Sequence, residues 1–447
     1  MINKLGTLTQ KLSPNLRKIL GNTAWLLGDR ILRMGLGLFV GVWVARYLQP
    51  EQFGLYNYAI AFASMFDTAA NLGLNQIVVR NIVHDPFRKN EVLGTAFLLK
   101  LVAQVVALVL AVGTIYLLRP NNSLTHWLVG IIAAGMIFNS FDVIDFWFQS
   151  QVQSKYTVFA RNLGFITANL GRVLLIQLRA SLIFFAWIGS AEIALAAVGL
   201  VIAYRVKGHL IRAWRYSFGY AKELLKDSWT LTLSSIVIML YMRIDQIMIG
   251  QLIGDQAVGI YSAAIKISEM WYFVPIAITN SIYPSIIEAK NVSEDLYLGR
   301  LQQLFNSMAI LSYIVAIPVT LLSNQIILLI YGKNYAEAAS ILTIHVWTGV
   351  FVSSGVAVSL WTTTEGLMTL AFAATAIGAL INIILNYFLI RIYGGAGAAI
   401  STVVAQLFAA YGAFAFFPIT RKIFILQTQA ILMINPIKMA LDKFKQV

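Results

Sequence analysis

The sequence contains no cysteine among its 447 residues, and it carries little charge. Without cysteine, the chain can form no disulfide framework, no thiolate metal site and no cysteine nucleophile. Charged residues make up 12% of the chain and hydrophobic residues make up 59%. Because an average soluble domain has about 25% charged residues, this balance predicts an all-α polytopic membrane protein.

Catalytic and metal-binding patterns are also missing from the sequence. The four histidines lie at positions 84, 126, 209 and 345, and no two of them have the spacing of metal ligands. The chain contains no phosphate loop of the form GxxxxGKS or GxxxxGKT, no GxSxG and no HExxH. The sequence therefore predicts that the protein is not an enzyme and uses no metal and no cofactor.

Apolar windows of about 20 residues, the length that crosses a bilayer, recur twelve times along the chain. Turn residues or charges separate the windows, as in LQPEQFG, HDPFRKNE and YGGAG. The twelve predicted transmembrane spans are 22–48, 54–82, 92–118, 126–149, 157–178, 181–204, 228–252, 258–286, 303–330, 338–361, 366–390 and 396–419.

Lysine and arginine determine the predicted orientation. With a cytoplasmic N-terminus, the inside segments hold about 21 of these residues and the outside segments about 5. Both termini are therefore predicted to face the cytoplasm, and the net charge of +14 reflects cytoplasmic loops rather than nucleic-acid binding. The basic N-terminal segment lacks the pattern of a cleaved signal peptide. The tail from Arg421 predicts an interfacial helix, with a disordered end as the alternative.

The two halves of the chain contain a weak repeat. Trp25 aligns with Trp229, and FGLY at 53–56 aligns with VGIY at 258–261. The offset covers six spans, an even number, so the halves are predicted to be parallel repeats that form two six-helix bundles around a central cavity. The predicted divisions are an N-terminal bundle at 1–204, a basic cytoplasmic linker at 205–227, a C-terminal bundle at 228–420 and a basic cytoplasmic tail at 421–447.

Fourteen charged residues lie inside the predicted spans away from the span ends. Seven cations facing lipid would cost about 20 kcal/mol at roughly 3 kcal/mol each, so they are expected to line a wet cavity or to pair with acids. The cations are Arg30, Arg33, Lys100, Arg161, Arg172, Arg243 and Lys266. The acids are Asp29, Asp67, Asp142, Asp145, Glu192, Asp245 and Glu269.

Two interpretations of these charges remain open, namely internal salt bridges and a functional cavity. Salt bridges are favoured for Lys100, Asp142, Asp145 and Arg161. A cationic cavity for an anionic substrate is favoured for Arg30, Arg33, Arg243 and Lys266, because the planar arginine fork holds phosphate oxygens. Depth counting and helical spacing suggest the pairs Asp245 with Lys266, Arg33 with Asp67, Lys100 with Asp142, and Asp29 with Arg33.

The block ARYLQPEQFGLYNYAIAF follows the first span. It is similar to the signature AR-LGP-FG-Y of the Wzx-type polysaccharide flippases, which belong to the multidrug/oligosaccharidyl-lipid/polysaccharide exporter superfamily. NLGLNQIVVR, RIDQIMIGQLIGDQAVGIYSAA, YGKNYAEAASIL and LNYFLIRIYGGAGAAISTVVA resemble later blocks, in order, over nearly the whole chain. Gln49 stands where the family commonly has glycine, and Arg391 stands where proline is frequent.

The resemblance implies a MATE-like fold and a flippase that moves undecaprenyl-diphosphate-linked oligosaccharide across the inner membrane by alternating access. It implies membrane lipids as partners and a proton or sodium ion as the coupling ion. On depth and charge, Arg30, Arg33, Arg243 and Lys266 are the predicted headgroup ligands. Asp29, Asp67, Asp245 and Glu269 are the predicted counter-ions or coupling residues.

Three alternatives remain. A lipid II flippase would bind a similar headgroup. A multidrug/cation antiporter of the same fold would be expected to have an acidic cavity, which the core arginines disfavour. A membrane glycan polymerase or ligase would be expected to carry a sizeable outer loop, whereas the outer loops here have about ten residues or fewer.

Overall fold

The computed structural model of the protein describes residues 14–434, and this range contains 15 α-helices and no β-strand. Short 3₁₀ segments or turns connect many of the helices. The helices, in chain order, are α1 (Pro14–Ala70), α2 (Leu74–His84), α3 (Lys89–Leu118), α4 (Ser123–Met136), α5 (Val143–Ser150), α6 (Lys155–Gln177), α7 (Leu182–Val206), α8 (Phe218–Leu252), α9 (Asp255–Glu269), α10 (Phe273–Val292), α11 (Glu294–Ile330), α12 (Ala338–His345), α13 (Thr348–Thr364), α14 (Met368–Ala410) and α15 (Arg421–Ile431).

Eight helical segments within the described range are long and apolar enough to cross a membrane. This count is lower than the twelve predicted spans, partly because two of the segments, Gly28–His84 and Met368–Ala415, each cover two predicted spans in whole or in large part. The predicted span 258–286 is divided between α9, which has only 15 residues, and α10. The all-helical membrane architecture is therefore confirmed, and the number of twelve crossings stays a prediction.

Single residues bend the two longest helices where the sequence predicted loops. Gln49 has φ 60° and ψ 168°, and Gly394 has φ 60° and ψ −137°. Positive φ suits glycine and strains other residues. The structure thus explains why glycine is common at the position of Gln49 in the flippases that this sequence resembles, and it shows that the predicted turns are kinks.

Polar side chains cap the beginnings of two helices, and the C-terminal tail forms a further helix. The Asn122 side chain accepts a hydrogen bond from the backbone amide of Thr125 at 3.0 Å, where α4 begins. Ser293 caps α11 in the same way through the amide of Leu296, at 3.2 Å. The tail that the sequence predicts to be helical is a helix in α15, and its residues from 435 onward, like the N-terminal residues 1–13, lie outside the described residues.

The helices form two compact units. One contains the chain up to Tyr47 together with Ala59–Ile236, and the other contains Leu48–Tyr58 together with the chain from Val237. The first unit has a core that includes Leu74, Leu93, Val143, Phe148 and Tyr204. The core of the second unit includes Leu301, Phe305, Trp361 and Phe414.

Two glycines of the repeated motif meet inside the second unit. A Cβ built on Gly54 would lie 1.7 Å from the carbonyl oxygen of Asp255 and 2.6 Å from the amide nitrogen of Gly259. A Cβ on Gly259 would lie 1.9 Å from the carbonyl oxygen of Pro50 and 3.0 Å from the amide nitrogen of Gly54. Gly54 and Gly259 occupy the same place in FGLY and VGIY. Each glycine thus leaves room for the backbone next to the other, and a side chain at either position would overlap it.

Replacing Gly54 by alanine is expected to destabilise the protein by about 3 kcal/mol, because the new methyl group overlaps backbone atoms that cannot move independently. The measurement is thermal or denaturant unfolding of the purified protein in detergent. Gly41→Ala is the matched control, because a Cβ at Gly41 on the same helix meets nothing within 4 Å. Equal stability of the two variants would contradict the close contact.

Candidate substrate and ion sites

A network of ion pairs lies in the first unit. Lys100 is buried in α3, and its Nζ lies 3.9 Å from Oδ2 of Asp142. Nη2 of Arg161, on α6, lies 2.8 Å from Oδ1 of Asp142 and 3.1 Å from Oδ2 of Asp145. The salt bridges predicted for these four residues are therefore confirmed. Buried charges that are paired avoid most of the cost of leaving water.

Arg33 lies next to this network and is held in place by its own helix. Its Nε donates to Oδ1 of Asp29 at 2.8 Å, which confirms the predicted i,i+4 pair. Its guanidinium carbon lies 4.9 Å from the centre of the Phe165 ring. Its Nη2 is buried and has no hydrogen-bond partner within residues 14–434. Arg33 can therefore donate further hydrogen bonds to an anion.

Arg33 lines a polar cavity of about 260 Å³ within the first unit. The other charged and polar lining residues are Asn139, Asp142, Arg161 and Glu192. Glu192 also receives a hydrogen bond from Nη2 of Arg172 at 2.7 Å. The cavity is smaller than the roughly 300–1,000 Å³ of pockets that enclose whole drug-sized ligands, so it suits a headgroup rather than an entire lipid-linked glycan.

Asp67 does not pair with Arg33 as depth counting suggested. Its Oδ1 accepts hydrogen bonds from Nε2 of Gln104 at 2.7 Å and from Nδ2 of Asn139 at 2.9 Å, and its Oδ2 accepts one from Nδ2 of Asn71 at 3.2 Å. Equal depth placed the two charges at one level of the membrane. It could not show that neutral amides on α3 and the 3₁₀ segment after α4 lie closer to Asp67.

Asp245 is buried in the second unit and is surrounded by neutral donors. Its Oδ1 accepts a hydrogen bond from Nδ2 of Asn386 at 2.6 Å. Its Oδ2 accepts from the hydroxyls of Tyr261 at 2.7 Å and Thr402 at 2.6 Å. The pairing predicted between Asp245 and Lys266 is therefore wrong. The chain folds so that α9 and α14 supply these hydrogen bonds.

Thr402 has one hydroxyl proton for two close acceptors. Its Oγ1 lies 2.9 Å from the carbonyl oxygen of Ala398 and 2.6 Å from Oδ2 of Asp245. One proton fully satisfies only one of these contacts. If Ala398 receives it, the short contact with Asp245 requires a proton on the carboxyl group or a cation shared by the two oxygens. In the shorter of the two contacts Thr402 donates to Asp245, so this buried acid has neutral donors around it and no ion pair within residues 14–434.

The other predicted site residues are distributed as follows. Arg243 is half-buried on α8 and interacts electrostatically with Glu269 of α9. Lys266 is exposed, and its Nζ lies 4.5 Å from the centre of the Phe53 ring. Arg30 is exposed on α1. Arg33 and Asp29 thus meet in the first unit, and Arg243 and Glu269 lie near each other in the second.

The sequence analysis considered only charged residues, so it missed the neutral side chains that hydrogen-bond to Asp67 and Asp245. Asn386 and Asn382 are separated by four residues in an apolar span, and Nδ2 of Asn386 donates to Oδ1 of Asn382 at 3.1 Å. Two amides on one face of a membrane helix are costly unless they have partners. Their spacing was therefore a signal for a polar site in the predicted span 366–390.

Comparison with known proteins shows the family to which the chain belongs. The sequence profile of the polysaccharide biosynthesis protein family matches residues 19–290, which is more than half of the chain. The chain belongs to this family. The MatE profile matches residues 231–388. The resemblance to Wzx-type flippases of the multidrug/oligosaccharidyl-lipid/polysaccharide exporter superfamily is thereby confirmed, and the chain is a multi-pass membrane protein of that superfamily.

Two curated relatives of this family member are named as transport proteins. The probable low-salt glycan biosynthesis flippase Agl15 of Haloferax volcanii is 23% identical over 83% of this chain and 78% of its own length. The putative O-antigen transporter of Shigella flexneri is 22% identical over 86% of this chain and 94% of its own length. Both names describe transport rather than catalysis.

A solved structure supports the fold of the family member. An inward-facing conformation of a multidrug resistance MATE family transporter of the same superfamily superimposes with a TM-score of 0.72. The match covers 89% of this chain and 95% of the other, at 16% sequence identity. The predicted MATE-like fold is therefore confirmed at the level of overall architecture.

Proposed function

We propose that the protein is a flippase for undecaprenyl-diphosphate-linked oligosaccharide in the bacterial inner membrane, with both termini in the cytoplasm. The observation that carries the proposal is Arg33, which lines a polar cavity and retains a buried guanidinium nitrogen without a hydrogen-bond partner. A guanidinium in a site of low dielectric constant binds phosphate oxygens strongly. Relatives named as a glycan flippase and an O-antigen transporter support the same class of substrate.

In this proposal, the predicted six-helix bundles, 1–204 and 228–420, alternate between inward-open and outward-open states as the diphosphate is moved. Arg30 and Arg33 are the proposed headgroup ligands of the N-terminal bundle, and Arg243 and Lys266 are those of the C-terminal bundle. Asp29 and Glu269 act as counter-ions that hold Arg33 and Arg243 in place while the cavity is empty, whereas Asp67 is held by neutral amides. The multidrug/cation antiporter alternative is less well supported, because arginine in the cavity would repel a cationic drug.

Asp245 is the proposed coupling residue. Its buried carboxyl group accepts hydrogen bonds from Tyr261, Asn386 and Thr402 and has no basic partner within residues 14–434, so a bound proton or sodium ion would neutralise it. Release of the ion would leave a buried negative charge, which is unfavourable. Ion binding and release can therefore bias the C-terminal bundle between two conformations.

Deleting the gene is expected to trap lipid-linked sugar units on the cytoplasmic leaflet and to remove the surface glycan. The measurement combines surface glycan analysis with mass spectrometry of the trapped lipid in a strain that has no second flippase. The deletion should be complemented by the wild-type gene. Normal surface glycan in the deletion strain would contradict the proposed function, and trapped lipid II would shift it to the lipid II alternative.

A further inference from the structure

Two lysines from different helices converge on one tyrosine at an end of the first unit. Lys155 and Tyr156 begin α6, and Lys207 follows the last residue of α7. The Nζ atoms of Lys155 and Lys207 lie 5.0 Å and 4.3 Å from the centre of the Tyr156 ring. Because α6 and α7 pack against each other as a hairpin, the two lysines are held together by the fold.

Neither lysine of this cluster has an acidic partner. Within residues 14–434, no carboxylate lies within 4.0 Å of Lys155 or Lys207, whereas Lys290 pairs with Glu365 at 2.9 Å in the second unit. A hydrogen bond with Lys207, together with the charge of Lys155, lowers the pKa of the Tyr156 hydroxyl. Two positive charges close together repel each other unless an anion lies between them.

An exposed apolar surface continues from the lysines along the same two helices. Phe159 and Leu163 follow Lys155 at intervals of four residues on α6, and all three side chains are exposed. On α7, Val206, directly before Lys207, and Ile202, one helical turn earlier, are also exposed. The positive end and the apolar surface together have the polarity of an anionic lipid headgroup and its acyl chains.

We propose that Lys155, Lys207 and Tyr156 form a binding site for the phosphate of an anionic membrane phospholipid. In the predicted topology the site faces the cytoplasmic leaflet. The two ammonium groups and the tyrosine hydroxyl surround the phosphate, and the acyl chains lie along Phe159 and Val206. The apolar surface favours a phospholipid over free phosphate, because free phosphate has no group to cover it.

The site is separate from the transport residues. The lysines are not among the residues that line the cavity of Arg33. The inference therefore goes beyond the proposed flippase function, and it holds for any polytopic protein with this hairpin. A phospholipid bound at this site would hold the adjoining ends of α6 and α7 at one membrane interface.

The test titrates fluorescent phosphatidylglycerol into the purified full-length protein in a zwitterionic detergent. The double substitution Lys155→Gln with Lys207→Gln is expected to weaken binding about thirtyfold, at about 1 kcal/mol for each lysine. Lys222→Gln with Lys226→Gln is the matched control, because both are exposed lysines on the same predicted side and the net charge changes equally. This control should bind as the wild type does.

Three further results decide the assignment. Phosphatidylcholine, which has no net charge, should bind more weakly than phosphatidylglycerol to the wild type. Tyr156→Phe should weaken phosphatidylglycerol binding by a few fold, since it removes one hydrogen bond. The proposal would be overturned if the two double variants lost the same affinity, or if phosphatidylcholine bound as well as phosphatidylglycerol. It would also be overturned if equimolar inorganic phosphate displaced phosphatidylglycerol.

Discussion

Replacing Asp245 by asparagine is expected to abolish ion-coupled transport while leaving the protein folded. The amide has almost the same shape as the carboxyl group, and the hydroxyls of Tyr261 and Thr402 can accept hydrogen bonds as well as donate them. The amide cannot take up a proton or neutralise a cation. Losing a charge-assisted contact of about 3 kcal/mol reduces ion affinity about a hundredfold.

The measurement for Asp245→Asn is glycan export at matched protein levels, followed by transport under an imposed sodium gradient or pH gradient. Whichever gradient drives the wild-type protein identifies the ion. Asp227→Asn is the control, since Asp227 makes an exposed pair with Arg80 at 2.6 Å and exposed pairs contribute less than about 1 kcal/mol. Ion-dependent export by Asp245→Asn at the wild-type rate would show that Asp245 is not the coupling residue.

Replacing Arg33 by alanine is expected to reduce the affinity for the lipid-linked diphosphate about ten- to a hundredfold, because hydrogen bonds to charged groups contribute about 1.5–3 kcal/mol. Arg33→Lys should recover part of the loss, since lysine keeps the charge but lacks the planar fork. Arg243→Ala is expected to reduce export by a similar factor.

Glycan export and binding of the purified lipid-linked substrate both measure these arginine substitutions. Arg80→Ala is the control, because Arg80 is an exposed arginine outside the cavity. If Arg33→Ala and Arg243→Ala both export glycan normally in a well-expressed protein, the substrate does not depend on these cations. Loss in only one of them would restrict headgroup binding to that half of the chain.

The sequence predicted the class of structure because membrane helices carry their own signal. Runs of about 20 apolar residues and the asymmetry of lysine and arginine are local patterns. The kinks at Gln49 and Gly394 were harder to predict. A break in hydropathy shows where a span ends, but it does not show whether a loop or one residue with positive φ makes the turn.

Charge pairing was predicted correctly where sequence spacing decides it. Asp29 and Arg33 are one helical turn apart, and they meet. Depth counting succeeded for Lys100 with Asp142 but failed for Asp245 with Lys266, because depth gives the level of a residue and not the direction that its side chain faces. The partners Asn386 and Thr402 follow Asp245 by more than 140 residues, so only the tertiary fold brings them together.

The internal repeat points to a pair of packing residues that the individual spans do not reveal. Gly54 and Gly259 occupy equivalent places in two short motifs, and their backbones touch. Neither glycine would attract notice alone in a chain with 31 of them. Their alignment in the repeat and their mutual contact together indicate that both residues are kept small by the same packing requirement.

The central claim is that this protein moves a lipid-linked glycan diphosphate from one leaflet to the other. The most direct test reconstitutes the purified protein in liposomes with a labelled lipid-linked oligosaccharide and measures the fraction of glycan open to an added enzyme that cannot cross the membrane. We expect the accessible fraction to rise with time for the wild-type protein under the driving gradient, and to stay constant for Asp245→Asn. A constant fraction for the wild-type protein under both sodium and pH gradients would contradict the claim.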